Sequence, residues 1–195
     1  MRQRLNKDQW RRVIMKGVVF TEFLDFVSAT HGADTADDMI DDAAVPSGGA
    51  YTAVGTYPHT EMQALVAALA RRTGTPAPDL LGLFGRHLCG RFAVTHPDFF
   101  AAQASLFDFL DSVDGHIHVE VHKLYPDAEL PVFRLNRRGT DAIDLDYASC
   151  RPLEALAEGM IRAAADHYRQ PVAIATSRME EPAGPFVRFS IRHAA

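Results

Sequence analysis

One histidine, His118, and three hydrogen-bond donors further along the chain form the most informative set of side chains in this sequence. Tyr147, Ser149 and Arg151 alternate with other residues along a short strand-like stretch. Arginine presents a planar fork of N–H donors to a carboxylate, and tyrosine and serine each add a hydroxyl donor. In an extended segment the side-chain period is two, so we expect the three donors to share one face. A neutral imidazole such as that of His118 can bind a metal ion.

Few small molecules need both an iron ligand and a clamp for two carboxylates, and haem is the obvious one. The histidine and the three donors each have a plainer interpretation as well. A lone histidine is usually a surface residue or a satisfied core residue, and the three donors could form an ordinary exposed strand edge. His118 and His122 could instead chelate zinc at i, i+4 spacing, although no third and fourth ligands are apparent in the sequence.

The periodicity of the apolar residues predicts the helices that must position these side chains. We expect helices over residues 16–30, 34–44, 60–72, 78–94 and 98–124, the last of them broken near Asp114-Gly115. His118 lies at the edge of the apolar stripe of this last helix, where it could point toward an interior cavity. Residues 46–58 are rich in Pro, Gly, Ser and Thr and are predicted to form a loop.

Two of these helices carry a further pattern. Helix 34–44 holds aspartates at helical spacing, which indicates a solvated acidic face because the mid-loop glycine and terminal glutamate of an EF-hand are missing. Helix 78–94 contains the small residues Gly82, Gly85, Cys89 and Gly90. These would let something flat approach the backbone, or would allow another helix to pack closely.

Beyond residue 131 the pattern changes from helices to strands. The sequence predicts strands over residues 132–135 and 142–147, a helix over 152–168, and a hairpin of residues 172–178 and 186–192. The predicted fold class is therefore α+β, with a helical N-terminal part packed on a C-terminal part that contains a four-stranded antiparallel sheet and helices. We expect a single domain over residues 15–195, with residues 1–14 as an N-terminal extension of uncertain status.

Composition excludes several classes of protein. The 195-residue chain has a formal net charge of −5, which argues against a general binder of nucleic acids or anionic membranes. No apolar run reaches membrane-spanning length, and no signal-peptide pattern opens the chain. The two cysteines, Cys89 and Cys150, are too few for a disulfide framework or a cysteine-rich zinc site, so we expect a reducing, cytoplasmic location.

Several motifs in order along the chain are shared with a known family. They are Met15-Lys16-Gly17, Gly85-Arg86-His87-Leu88 with Phe92, His96-Pro97-Asp98-Phe99-Phe100, His118 seven residues before Tyr125-Pro126, and Tyr147-x-Ser149-x-Arg151. In these motifs the chain resembles the haem nitric oxide/oxygen-binding family (H-NOX, also written HNOB), whose domains occur in soluble guanylate cyclases and bacterial sensors. The resemblance extends from residue 15 to about residue 193.

The resemblance implies a cofactor and the residues that hold it. The cofactor is haem b (iron protoporphyrin IX), bound between the helical part and the sheet-containing part. His118 matches the proximal iron ligand of the family, and Tyr147, Ser149 and Arg151 match its clamp for the haem propionates. Pro131 matches the proline that presses on the porphyrin and helps to distort it from planarity.

The resemblance also implies which gas is sensed. The distal pocket is assigned to Phe23, Leu88, Phe92 and Leu156. The oxygen binders of the family have a tyrosine at the position of Leu156, and Tyr168 lies too far along the same helix to replace it. Since the pocket offers no hydrogen bond to bound oxygen, we expect selective sensing of nitric oxide with oxygen excluded, and carbon monoxide as a further ligand.

Signalling is expected to follow from the proximal side. In the family, nitric oxide weakens or breaks the bond between the iron and the histidine that matches His118. A stand-alone bacterial sensor of this kind is expected to regulate a separate histidine kinase or diguanylate cyclase, without being an enzyme itself. The rival interpretations are a haem enzyme, which would need distal acid–base groups, a thiol-based redox sensor using Cys89 and Cys150, and a haem-free interaction domain.

Overall fold

The structure is a computed structural model that describes residues 14–194. Apart from Ile14, the N-terminal extension predicted for residues 1–14 lies outside the described residues. The chain divides into two units, residues 1–84 and residues 85–195, and the boundary falls within a long helix. Each unit is built around its own set of buried apolar side chains.

The first unit is mainly helical, as predicted. Its elements are β1 (Ile14–Lys16), α1 (Gly17–His31), α2 (Ala33–Ala43), β2 (Thr56–Pro58), α3 (His59–Thr73) and the first part of α4 (Ala77–Thr95). Gly32 ends α1 with a φ of 93°, a backbone conformation that glycine adopts without strain. The predicted boundaries of these helices are confirmed to within a residue or two.

A short pairing of two strands was not expected from the sequence. The last residues of the predicted loop over 46–58 form β2, which pairs antiparallel with β1 so that Met15 lies opposite Tyr57. The prediction of a continuous loop was therefore wrong at its end. Three-residue strands are too short to show an alternating pattern, and the pairing depends on contacts between distant parts of the chain.

Helix α2 exposes its aspartates, as its spacing predicts. Arg72 on α3 donates to Asp38 at 2.7 Å and to Asp42 at 2.6 Å, and both carboxylates remain well exposed. Such exposed ion pairs contribute little to stability. The acidic face of α2 is thus a solvated surface that one arginine partly neutralises.

The second unit joins helices to a sheet. Its further helical elements are α5 (Pro97–Ala101), α6 (Leu106–Ser112), a π-helical turn (Val113–Ile117), α7 (His118–Leu124) and α8 (Glu154–His167). Helix α6, the π-helical turn and α7 follow one another without a gap. The break predicted near Asp114-Gly115 is confirmed and consists of the π-helical turn, whereas a second break between α5 and α6 was not predicted.

The sheet has four antiparallel strands in the order β3-β4-β6-β5, where β3 is Val132–Arg137, β4 is Ala142–Ala148, β5 is Val172–Glu181 and β6 is Gly184–His193. Its inner face contributes buried side chains to a core shared with α4, α6 and α8, among them Ile143, Leu145, Tyr147, Phe189 and Ile191. The α+β fold class with a four-stranded antiparallel sheet is confirmed. Within residues 14–194, none of the helices has the length and apolar character needed to cross a membrane.

Close packing of α4 against α8 explains one of the small residues in the 78–94 segment. A Cβ atom added at Gly85 would lie 2.2 Å from the backbone oxygen of Leu156 and 3.1 Å from the backbone nitrogen of Met160. Gly85 therefore allows two helix backbones to approach each other, which is the second of the two roles considered for it. At Gly90, on the same helix, an added Cβ would meet nothing within 4 Å.

This difference predicts opposite effects of the same substitution. Gly85→Ala should destabilise the protein by about 1–3 kcal/mol, because the two helix backbones must move apart. Gly90→Ala should be neutral or stabilise by up to about 1 kcal/mol, since alanine restricts the unfolded chain and nothing blocks its methyl group. Urea unfolding followed by circular dichroism measures both effects, and equal midpoints for the two variants would contradict this packing.

Candidate functional site

His118 is the first residue of α7, directly after the π-helical turn. Its side chain is 16% exposed, and its ring centroid lies 5.8 Å from that of Phe133 on β3. Burial lowers the pKa of His118 below the usual histidine value of 6.5, and the nearby Asp114 carboxylate only partly opposes this effect. The imidazole is therefore neutral at pH 7, which is the form that binds a metal ion.

Asp114 holds this imidazole in place. Its Oδ1 atom lies 3.4 Å from Nδ1 of His118 and also accepts a hydrogen bond of 3.3 Å from the backbone N–H of Phe133. A carboxylate beside Nδ1 favours the tautomer with the proton on Nδ1, which leaves Nε2 as the ligating nitrogen. The π-helical turn brings Asp114 and His118 together, and such turns often occur at functional sites.

Tyr147, Ser149 and Arg151 lie together, although not in the way the sequence predicted. Strand β4 ends at Ala148, so the expectation of a continuous extended segment through Arg151 was wrong. Beyond the strand the chain turns, and the backbone N–H of Arg151 donates to Oγ of Ser149 at 3.1 Å. A hydroxyl that accepts from the backbone two residues ahead competes with the sheet ladder, which explains why the strand stops here.

The three donors form one cluster. Tyr147 and Arg151 are each only 6% exposed, and the Arg151 guanidinium donates to the backbone oxygen of Glu129. Burial raises the pKa of Tyr147 above its usual value, against a hydrogen bond with Ser149 and the positive charge of Arg151. The phenol therefore keeps its proton at neutral pH and can donate. Cys150, between Ser149 and Arg151, is exposed.

Phe133 links the histidine to the donor cluster. Its ring lies 5.4 Å from that of Tyr147, its partner across the β3–β4 ladder, and it faces His118 on the other side. Sequence reasoning did not single out Phe133 or Asp114. Two signals could have identified them, namely the position of Phe133 two residues after Pro131 and the i, i+4 spacing of Asp114 and His118.

The other predicted site residues are distributed over both units. Pro131 is half-buried in the connection that leads into β3. In the first unit, Phe23 is fully buried and contacts Phe84 edge-on, with ring centroids 5.0 Å apart. In the second unit, Leu88 is buried, whereas Phe92 and Leu156 are half-buried. The contact of Leu156 with Gly85 places it beside α4, one turn before Leu88.

A family model described as Haem-NO-binding matches residues 16–176 of this chain. The chain belongs to this family. No curated protein matches the chain.

Solved structures of H-NOX proteins share the fold. The Fe(II) unliganded H-NOX protein from K. algicida is 32% identical, with 93% of this chain and 97% of that chain covered and a TM-score of 0.86. The S. oneidensis H-NOX protein in the Fe(II)NO ligation state is 26% identical, with 93% and 100% covered and a TM-score of 0.84. A mutant of the T. tengcongensis H-NOX protein, at 20% identity, 93% and 98% coverage and a TM-score of 0.82, shows the likeness of fold alone.

Family membership makes this chain an H-NOX haem-based gas sensor, and its side chains suit the group that such proteins bind. His118 offers a neutral, partly buried nitrogen whose second nitrogen is already engaged by Asp114. The cluster of Tyr147, Ser149 and Arg151 offers a positive charge and hydroxyl donors, which is the donor chemistry that carboxylates require. The zinc alternative on His118 and His122 gains no support, since among the described residues no three His, Cys, Asp or Glu side chains are grouped to hold a metal ion.

The environment of His118 predicts its titration. In the haem-free chain, the imidazole of His118 should titrate below pH 6.5, because burial lowers its pKa more than Asp114 raises it. Asp114→Asn should lower the midpoint further, since the charge that favours the imidazolium is removed. Glu120→Gln, which removes a carboxylate paired with Lys123 on the same helix, serves as the control and should leave the midpoint nearly unchanged. Histidine ring signals followed by NMR give the midpoints, and a midpoint above 6.5 would contradict the burial of His118.

Proposed function

We propose that this H-NOX protein senses nitric oxide at ferrous haem b, excludes oxygen, and signals to a separate effector protein. The observation that carries the proposal is the half-buried, neutral His118, which Asp114 holds and which Phe133 links to the donor cluster of Tyr147, Ser149 and Arg151. Haem b is proposed because Cys89 and Cys150 are too far apart in sequence to form the Cys-x-x-Cys-His motif of covalent haem attachment.

The side chains have separate tasks in this proposal. Nε2 of His118 would bind the haem iron, and Asp114 orients the ring through Nδ1. Tyr147, Ser149 and Arg151 bind the two propionates, and Pro131 contacts the porphyrin. When bound through His118, ferrous haem would supply the iron at which nitric oxide binds.

Selectivity against oxygen rests on a missing donor. Phe23, Leu88, Phe92 and Leu156, the residues proposed for the distal pocket, carry no hydrogen-bond donor. The hydroxyl of Tyr168 is already engaged, because it donates to the backbone oxygen of Phe100 at 2.7 Å. Bound oxygen carries partial negative charge, and a hydrogen bond to a charged group contributes about 1.5–3 kcal/mol. Nitric oxide, and also carbon monoxide, need no such bond.

In the proposed signal, a change in how His118 holds the haem iron would pass on through Asp114. This carboxylate contacts both His118 and the backbone of β3, so a movement of the histidine ring alters a contact to the sheet. The π-helical turn that carries Asp114 provides a local irregularity where α6 and α7 can adjust. We propose that a separate histidine kinase or diguanylate cyclase in the cytoplasm reads this change.

Two rival functions are less well supported. A haem enzyme would need acid–base side chains beside the open iron position, and the proposed distal residues offer none. A thiol-based redox sensor would need a reactive thiolate, but burial raises the pKa of Cys89 to about 12 and keeps it protonated. Cys150 is exposed but is not close in sequence to a second thiol. The H-NOX protein is therefore proposed to act as a sensor without catalysis of its own.

An absorption spectrum of the reduced, purified protein tests the proposal as a whole. The spectrum should show haem, remain unchanged in air, and shift on addition of nitric oxide. A stable spectral change in air would contradict the exclusion of oxygen. A protein purified without haem, and unable to take it up, would contradict haem sensing altogether.

Adding the missing donor should change selectivity. Leu156→Tyr should raise the affinity for oxygen by about 10-fold to 150-fold, the range that corresponds to one hydrogen bond to a charged acceptor. Leu156→Phe adds the same ring without the hydroxyl and should not raise it. Spectra recorded in air after reduction give the comparison. If both variants gained oxygen affinity equally, a change in pocket shape rather than hydrogen bonding would be responsible.

Removing the axial ligand should remove haem. His118→Gly should yield a protein that retains haem poorly and recovers it when imidazole is supplied, because the free ligand fills the space of the lost side chain. His122→Gly, one turn further along the same helix at an exposed position, is the matched control and should bind haem normally. The ratio of haem absorbance to protein absorbance measures occupancy. Unaided, full occupancy in His118→Gly would refute the axial assignment.

A further inference from the structure

The outer face of the four-stranded sheet, opposite the core, carries an ordered set of charges. Its residues alternate with the core-facing ones along each strand. On this face lie four arginines and three carboxylates, namely Arg134, Arg138, Arg188, Arg192, Asp144, Asp146 and Glu181. We call this surface the arginine face. None of these residues has a role in the proposed haem site.

The aspartates of the arginine face are buried beneath the arginines. Asp144 and Asp146 have side chains that are only 5% exposed, although they lie on the face opposite Ile143, Leu145 and Tyr147, which point into the core. Arg188 contacts Asp146 with two parallel hydrogen bonds of 2.7 and 2.9 Å, and Arg138 donates to Asp144 at 2.5 Å. These buried charges hold the arginine side chains in position by ion pairs and hydrogen bonds.

An aromatic ring orients two of the guanidinium groups. Phe186 is buried on the same face, and the guanidinium carbons of Arg134 and Arg188 lie 5.7 and 5.5 Å from its ring centroid. Contacts of this length are cation–π interactions. Arg134 also donates to Glu181 at 3.3 Å, and Arg138 is paired with Asp144. At 51% and 61% exposure, the two side chains still keep part of each guanidinium group accessible to a further partner. The groups are thus held in position before any partner binds, which lowers the entropic cost of binding.

The arginine face is also concave. Two open hollows of about 390 and 340 Å³ lie on it, and they share Arg138, Asp144 and Arg188 in their walls. Both are polar, which distinguishes this surface from an apolar groove.

We propose that the arginine face is the docking surface for an acidic segment of the separate effector protein. Charge complementarity identifies the occupant, because accessible guanidinium groups form planar, bidentate contacts with carboxylates. A nucleic acid is the less suitable anion. Its phosphates form an unbroken row of negative charge, which would meet Glu181 among the arginines and a chain whose net charge is −5.

The position of the arginine face connects it to the proposed sensor site, and this part of the inference rests on the proposed function. Phe133 and Tyr147 are cross-strand partners on the inner side, next to His118 and within the donor cluster. The next pair along the same ladder, Arg134 and Asp146, points to the outer side. A displacement of β3 or β4 by the inner residues must therefore move the arginines that the effector contacts.

The test is a binding experiment with the haem-loaded, full-length protein. A fluorescently labelled oligoglutamate peptide should bind, and added salt should weaken its binding. Arg134→Gln and Arg192→Gln should each weaken binding by about two- to fivefold, as expected for single exposed ion pairs. Arg71→Gln, an exposed arginine of the first unit, is the matched control and should have no effect. Thermal unfolding of the three variants checks that each remains folded.

Three outcomes would overturn the proposal. One is the failure of the oligoglutamate peptide to bind, and another is equal binding by all three variants. The third is binding of a single-stranded oligothymidylate of the same charge as tightly as the peptide, which would indicate a general anion site. Haem absorbance and the response to nitric oxide are recorded on the same samples. If the unmodified protein showed neither haem absorbance nor a response to nitric oxide, the proposed function would be contradicted. The proposal for the arginine face depends on peptide binding alone.

Discussion

Alternation along β4 is the constraint on which the second unit depends. Ile143, Leu145 and Tyr147 point into the core, and Asp144 and Asp146 point to the opposite face. A shift of one residue in the pairing would bury two carboxylates in an apolar core and expose three large apolar side chains. The register of β3, β4 and β6 is therefore strongly specified. The same register brings Phe133 opposite Tyr147 and Arg134 opposite Asp146.

Around His118, burial and charge act in opposite directions. Burial favours the neutral imidazole, and the Asp114 carboxylate favours the charged form, with burial as the larger effect. The carboxylate is nevertheless useful because it orients the ring through Nδ1 and leaves Nε2 available. The π-helical turn makes this arrangement possible within an otherwise regular helix. The contact between Asp114 and His118 therefore orients the imidazole ring more than it stabilises the fold.

Much of this molecule could be predicted from local patterns. Helical periodicity located α1, α3, α4 and α8, because each buries a continuous apolar stripe. The break near Asp114-Gly115 was predicted from the interrupted periodicity. The pairing of β1 with β2 was missed because it depends on residues some forty positions apart. The predicted end of β4 at residue 147 was right to within one residue, but the change of direction between Ser149 and Arg151 was missed because a serine hydroxyl there replaces the ladder. Asp114 and Phe133 were not predicted as site residues because neither residue type is unusual at its position.

The sequence by itself determined the family, the α+β fold class and the candidate ligand and clamp residues, because each depends on residue type and on spacing along the chain. Only the tertiary structure decided what those residues meet. It placed Asp114 beside His118, brought Tyr147, Ser149 and Arg151 together around the end of β4, and assembled the arginine face from several strands. Cross-strand register and burial depend on contacts between distant segments, and no local pattern encodes those contacts directly.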